Sequence, residues 1–206
     1  MPSMHTPKIG PDGWIAEEDL KTMFKKVGRD VKISPHAVFY GSENIEIGDN
    51  VRIDHGNLFL CSNGWMKIGS HVHLAVNSVF SSGGGIEIED HVQIGFGAKI
   101  FSSSDDVSGG FLVGPTADRK YRKVASDKII LRRLSIVLGG SFVLPGTILD
   151  VGALLAPLSQ TLYGDRLNSW TIYAGCPCKR LKVRETHCEF MAEKFEKEYA
   201  EQKETV

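Results

Sequence analysis

From Ile33 onward, an aliphatic residue or phenylalanine returns at nearly every sixth position. These rungs fall at 33, 39, 47, 53, 59, 68, 74, 80, 88, 94, 100, 131, 137, 143, 149 and 155. The steps from 39 to 47, 59 to 68, 80 to 88 and 100 to 131 are longer, and all fall at the same place in a set of three rungs. Three rungs therefore make one triangular turn, and the extra residues leave at a single corner. The residue four places after a rung (Val51, Val72, Ser78, Val92, Ala98, Ser135, Ser141 and Thr147 among them) is small or β-branched, as a position near a tight corner requires. A helix has no period of six, and simple strand alternation does not explain the recurring small residue. The pattern predicts an all-β solenoid of about five coils.

The ends of the chain change register. Trp14, Ile15, Leu20, Met23, Phe24 and Val27 stand near helical spacing over 12–27, with Gly28 as a candidate C-cap. Cys188, Met191, Ala192, Phe195 and Tyr199 do the same among charges over 184–204. The expected organisation is an N-terminal helical cap over 1–32, a coil over 33–184 with a loop over 101–130, and a C-terminal helix over 185–206.

Composition narrows the function classes. Formal net charge is -1, so no global field recruits nucleic acid or an anionic membrane, and anions must be bound locally. No apolar run is long enough to span a membrane. Cys61, Cys176, Cys178 and Cys188 show neither zinc-ligand spacing nor disulfide density, which suits reduced thiols in a cytoplasmic protein.

The hexads resemble those of the hexapeptide-repeat acyltransferases, which are left-handed parallel β-helices, and the resemblance covers roughly 33–184. Ile47-Gly-Asp-Asn-Val-Arg-Ile-Asp54, His71-Val-His-Leu-Ala75, Ser102-Ser-Ser-Asp-Asp-Val-Ser-Gly109, Gly114-Pro-Thr116, Val143-Leu-Pro-Gly146 and Ile172-Tyr-Ala-Gly-Cys-Pro-Cys-Lys179 are similar to the branch that N-acylates nucleotide-linked 4-amino-4,6-dideoxy sugars. The Ser-Asp-Asp-x-Ser-Gly segment is the most discriminating of these. The resemblance implies acetyl-coenzyme A as donor, a nucleotide-linked amino sugar as acceptor, no metal, and a homotrimer with sites between subunits. Such products feed bacterial surface polysaccharides.

Acyl transfer to an amine needs a neutral amine, a placed thioester and donors for the developing oxyanion. Relatives that acylate hydroxyls carry a histidine at the start of the excursion, and the matching position here is Asp105. A carboxylate can hold and orient an ammonium, so Asp105 and Asp106 favour an amine acceptor, with His73 as a second candidate for the proton. The competing reading of the same segment is a turn whose side chains cap backbone groups. The resemblance implies that Gly139, Gly140, Ser141, Ala156 and Ser159 line the pantetheine arm, and that Lys179, Arg180 and Arg184 neutralise phosphate. Ser104, Arg119, Lys120, Tyr121 and Arg122 are the candidates for the sugar nucleotide. His55 stands where the branch often carries a second acidic residue, and Cys178 where it carries alanine. Rivals are an O-acetyltransferase of a saccharide hydroxyl, a zinc protein like the γ-carbonic anhydrases, and a non-catalytic β-helix scaffold. The second rests on His71 and His91, which are expected to stack at one corner between Asn50 and Leu134.

Overall fold

A computed structural model describes residues 7–204, without the side chains of 202–204. Three parallel sheets form the faces of a prism. The first face stacks Lys26–Val27, Ile45–Ile47, Met66–Ile68, Ile86–Ile88, Ile129–Leu131, Ile148–Leu149 and Arg166–Leu167. The second runs from Lys32–Ile33 through Arg52–Ile53, His73–Leu74, Gln93–Ile94, Ile136–Val137 and Leu154–Leu155 to Thr171–Ala174, with Lys179–Val183 added antiparallel at its edge. The third holds Val38–Tyr40, Leu58–Leu60, Val79–Ser81, Lys99–Phe101 and Phe142–Val143.

The solenoid is longer than the about five coils that the hexads suggest. Among the described residues the first face has seven strands, because coiling begins at Lys26–Val27 and continues past the last rung to Arg166–Leu167. The N-terminal helix is correspondingly short, Glu17–Met23, and the residues after it enter the first sheet instead of prolonging it.

Every rung named from the sequence is buried except Phe39, which is half-buried. The small residues of the corner positions are buried too, from Val51 to Ser159, and so point inward. The first face contributes a second inward column, Ile45, Met66, Ile86 and Ile129, that the six-residue count passes over. Its strands are three residues long, and a strand that alternates in, out, in must bury both ends.

One small corner residue is mismatched to its place. Ser135 lies in register between Val92 and Ala153, fully buried, and its hydroxyl has no hydrogen-bond partner. An unsatisfied buried hydroxyl costs roughly 1–3 kcal/mol. Ser135→Ala is therefore expected to stabilise the protein by about 1 kcal/mol, read as a higher urea midpoint with unchanged slope. A lower midpoint would show that the hydroxyl has a partner.

The corner between the first and second faces carries left-handed residues that are not glycine: Asp30, Asn50, His71, His91, Leu134 and Trp170, with φ between 51° and 61°. Asp, Asn and His tolerate this region better than most side chains. The C-terminal helix, His187–Glu204, lies along that corner. Phe195 meets His71 edge-on at 5.1 Å, Glu196 Oε1 lies 2.6 Å from His91 Nε2, and the Tyr199 hydroxyl donates to Asp30 Oδ2 at 2.7 Å. Burial pushes the Glu196 carboxyl up, but hydrogen bonds from His91 and Arg133 outweigh it and hold it below its ordinary value.

Candidate active site

The expected long loop leaves the corner between the third and first faces. Its base is a two-stranded antiparallel ribbon, Ser103–Asp105 against Val124–Ser126. Ser102 anchors the root, donating its hydroxyl to the Ser81 carbonyl at 3.0 Å and accepting from Gly84 N–H at 3.0 Å. Further out, Asp118 caps the short helix Arg119–Tyr121, and the Lys120 ammonium sits 4.9 Å from the Tyr121 ring centre.

Both candidate carboxylates are already engaged inside this loop. Asp105 accepts from Gly114 N–H at 2.8 Å on one oxygen and from Arg122 Nη2 at 2.9 Å on the other. Those two hydrogen bonds, the Gly114 amide first, hold its carboxyl below the usual range. Asp106 accepts from Ser108 N–H at 2.9 Å and pairs with Lys123 at 3.2 Å, and the Ser108 hydroxyl first, then the Ser108 amide and Lys123, lower its pKa to about 2. Ser104, just before Asp105 on the ribbon, is exposed, and its hydroxyl donates to the Asp105 carbonyl at 3.3 Å.

Beneath the ribbon is a cleft of about 510 Å³ lined by Asn63, Gly83, Ser103, Arg119, Arg122, Val124 and Ser126. A shallower hollow of about 300 Å³ continues it along the third face past Tyr40, Leu60, Ser62 and Ser81. The two share Asn63, Gly83 and Ser103. Hydroxyls, an amide, two guanidiniums and one aromatic ring thus surround a single groove. Glycine at 64 keeps the neighbouring corner closed: a Cβ there would run into the Ser82 carbonyl.

His73 lies elsewhere. It projects from the second face, and its Nε2 is 2.7 Å from Asp54 Oδ2, while Arg52 Nε donates to Asp54 Oδ1 at 2.7 Å. Burial pushes the Asp54 carboxyl up, but hydrogen bonds from His73 and Arg52 outweigh it and leave it below its ordinary value. Within one chain, then, His73 and the loop carboxylates occupy different faces. Asp54 was not singled out from the sequence. The signal was present, because Ile53 and Leu74 are paired rungs and their polar neighbours must meet on the outside of the sheet.

At the C-terminal coils, Gly139 and Gly140 make a flat corner, and Gly140 has φ 69°. A Cβ at Gly140 would press on the Leu158 side chain. Phe96 and Leu158 flank this step, 67% and 78% exposed, so the corner is an open shelf with apolar walls. Ser141 and Ser159 face inward, and their hydroxyls bond to the Ala156 and Pro157 carbonyls. Lys179 pairs with Ala174 and is exposed beside Arg180, at the end of the strand nearest this corner. Arg184, expected with them, is at the far end of that strand. It donates to the Leu134 and Gly152 carbonyls at 2.9 Å each and lies 5.7 Å from the Trp170 ring centre.

The stacked histidines are as expected, with ring centres 4.8 Å apart at 14°. His71 Nδ1 faces the Asn50 amide at 2.9 Å and His91 Nε2 faces Glu196. Among the described residues no three His, Cys, Asp or Glu side chains converge as metal ligands.

The stacked triangular coils with one long excursion define a hexapeptide-repeat acyltransferase fold, and a hexapeptide-repeat acetyltransferase from Vibrio cholerae, solved with acetyl-coenzyme A, shares it at a TM-score of 0.58 and 16% identity over 81% of this chain and 75% of that one. No family model matches the chain. It is 36% identical over 172 residues, 83% of its length and 88% of the relative's, to the dTDP-4-amino-4,6-dideoxy-D-glucose acyltransferase of Escherichia coli. AntD, an N-acyltransferase from Bacillus cereus solved with dTDP and 3-hydroxybutyryl-CoA, superposes at a TM-score of 0.84 with 30% identity, over 91% of this chain and 98% of that one. A variant of AntD solved with dTDP-4-amino-4,6-dideoxyglucose and coenzyme A gives the same TM-score and identity over 90% and 98%. The chain belongs to the family of dTDP-4-amino-4,6-dideoxyglucose acyltransferases.

Proposed function

We propose that this acyltransferase moves an acetyl group from acetyl-coenzyme A to the 4-amine of dTDP-4-amino-4,6-dideoxyglucose. The observation that carries this reading is the 36% identity to a dTDP-amino-sugar acyltransferase across 83% of the chain. The groove under the loop supports it in chemical terms. Arg119 and Arg122 suit a diphosphate, Tyr40 and Asn63 offer a ring and an amide to a base, and Asp105 offers a carboxylate to an ammonium. Ser104, Lys120 and Tyr121 border the same loop and complete the acceptor side.

On the donor side, the shelf at Gly139 and Gly140 between Phe96 and Leu158 receives the pantetheine arm, with Lys179 and Arg180 near the coenzyme phosphates. The neutral amine attacks the thioester carbonyl, the carbon–sulfur bond breaks from the tetrahedral intermediate, and coenzyme A leaves as thiol. No acyl-enzyme forms.

The working unit in this reading is a homotrimer with sites between subunits. The outer side of the third face is apolar, with Val38, Tyr40 and Leu60 exposed, and it borders the groove, so a neighbouring copy would close it. In this reading the same packing brings His73 of one copy toward the loop of another. The protein works in the cytoplasm on precursors of a surface polysaccharide. Among the described residues no helix is long and apolar enough to cross a membrane.

Purified protein, acetyl-coenzyme A and dTDP-4-amino-4,6-dideoxyglucose are expected to release coenzyme A and give an amide product. The 4-hydroxy sugar nucleotide serves as the competing acceptor. Preference for the hydroxy sugar would replace the reading with O-acetylation. Light scattering during chromatography is expected to give three times the chain mass.

A further inference from the structure

We infer that Arg122 exchanges partners during the reaction cycle: it holds Asp105 in the empty enzyme, and the acceptor's diphosphate draws it into the cleft, freeing Asp105 for the sugar ammonium. This rests on the acceptor proposed above and adds how its binding prepares the site.

Arg122 is poised between two states. Its guanidinium gives one hydrogen bond to Asp105 through Nη2, while its buried Nε has no partner at all. A guanidinium is a planar fork that binds best when two adjacent N–H groups meet two oxygens. The bond to Asp105 uses one prong and leaves the other desolvated, whereas a phosphate group can satisfy both. Arg122 also lines the 510 Å³ cleft, and Arg119 brings a second guanidinium there that has no carboxylate partner among the described residues. The cleft thus offers cationic donors to a dianion while its best-placed one is tied to a competing carboxylate.

The other half of the exchange concerns Asp105. Its second oxygen stays fixed by Gly114 N–H, so losing Arg122 leaves the carboxylate oriented but short of one donor. An ammonium supplied by the same ligand that took Arg122 fills that vacancy. Removing the guanidinium also lets the carboxyl rise toward its ordinary pKa, since Arg122 is one of the groups holding it down. Diphosphate and amine are parts of one molecule, so only the complete acceptor makes both exchanges.

Calorimetric binding of dTDP, which has the diphosphate and no amine, tests the coupling in full-length protein. Asp105→Asn is expected to bind dTDP at least about fivefold more tightly than wild type, because the competing partner is gone. Arg122→Gln is expected to bind more weakly than wild type. Adding Asp105→Asn to Arg122→Gln is expected to change nothing further. Asp105→Ser, made in parallel, supplies the same comparison should the asparagine variant not fold. If the folded Asp105 variants bind dTDP no more tightly than wild type while wild type still transfers acetyl to the amino sugar, the exchange is overturned and the acceptor stands. If wild type neither binds dTDP nor transfers, both are overturned.

Discussion

Asp105→Asn is expected to lower the rate of acetyl transfer to the amino sugar by about 10²-fold, the cost of misplacing a reacting group. The argument starts from what Asp105 can and cannot do. Its carboxyl lies below the ordinary range, and Asp106 is lowered to about 2. Moving a proton from an ammonium to such a group is uphill by about 1.4 kcal/mol for each unit of pKa mismatch. Neither aspartate in its resting state is therefore a competent base. Asp105 instead contributes charge and direction: it fixes the nitrogen, and the proton departs to solvent or to the leaving thiolate. Asparagine keeps the size and the Gly114 bond but loses the charge. Its defect is therefore expected in kcat/KM for the amino sugar with little change in KM for acetyl-coenzyme A, which binds at another corner. Because Asp105 is ionised throughout, the loss is expected to be uniform between about pH 6 and 9. His73→Asn, by contrast, should change the shape of the pH profile if His73 receives the proton. Steady-state rates of both variants across that range are the measurement. A folded Asp105→Asn enzyme with wild-type kcat/KM would remove Asp105 from the site.

The scaffold was legible in the sequence because a coil repeats its constraint at every turn. One buried position in six, enforced over many coils, leaves a periodic trace, and the phase of the long steps identified the corner from which the loop departs. The stacking of His71 on His91 followed from the same count. Non-repeating contacts left no such trace. Arg122 and Asp105 meet across the loop, where no period supplies a register, so their pairing could not be read from spacing. Arg184 was expected beside Lys179 and Arg180, yet an extended strand separates its two ends widely, and Arg184 falls at the opposite corner. The coil count fell short for a different reason. Val27, Leu167 and Tyr173 continue the stack outside the strict hexads, since terminal coils need to match a neighbour on one side only.

Phe59→Ala is expected to cost about 3–5 kcal/mol of stability. Phe59 is fully buried between Phe39 and Phe80, with ring centres 4.5 and 4.8 Å away and planes within 11° and 7° of parallel. Phe24, next to the N-terminal helix, closes the column edge-on at 5.0 Å from Phe39. Beyond Phe80 the same column narrows to Ile100 and Val143. Removing the middle ring therefore leaves a cavity inside the stacked column, and strands fixed in parallel register above and below cannot collapse into it. In a solenoid each coil is stabilised mainly by its neighbours, so the damage should be uneven. The first coil and the helix Glu17–Met23 are expected to lose hydrogen-exchange protection before the coils after the loop do. Phe190→Ala, at a ring 60% exposed on the C-terminal helix, is the matched control and should change stability by no more than about 0.5 kcal/mol. Urea unfolding at one fixed protein concentration compares the two. Equal losses would mean that the phenylalanine column is not what binds the first coils together.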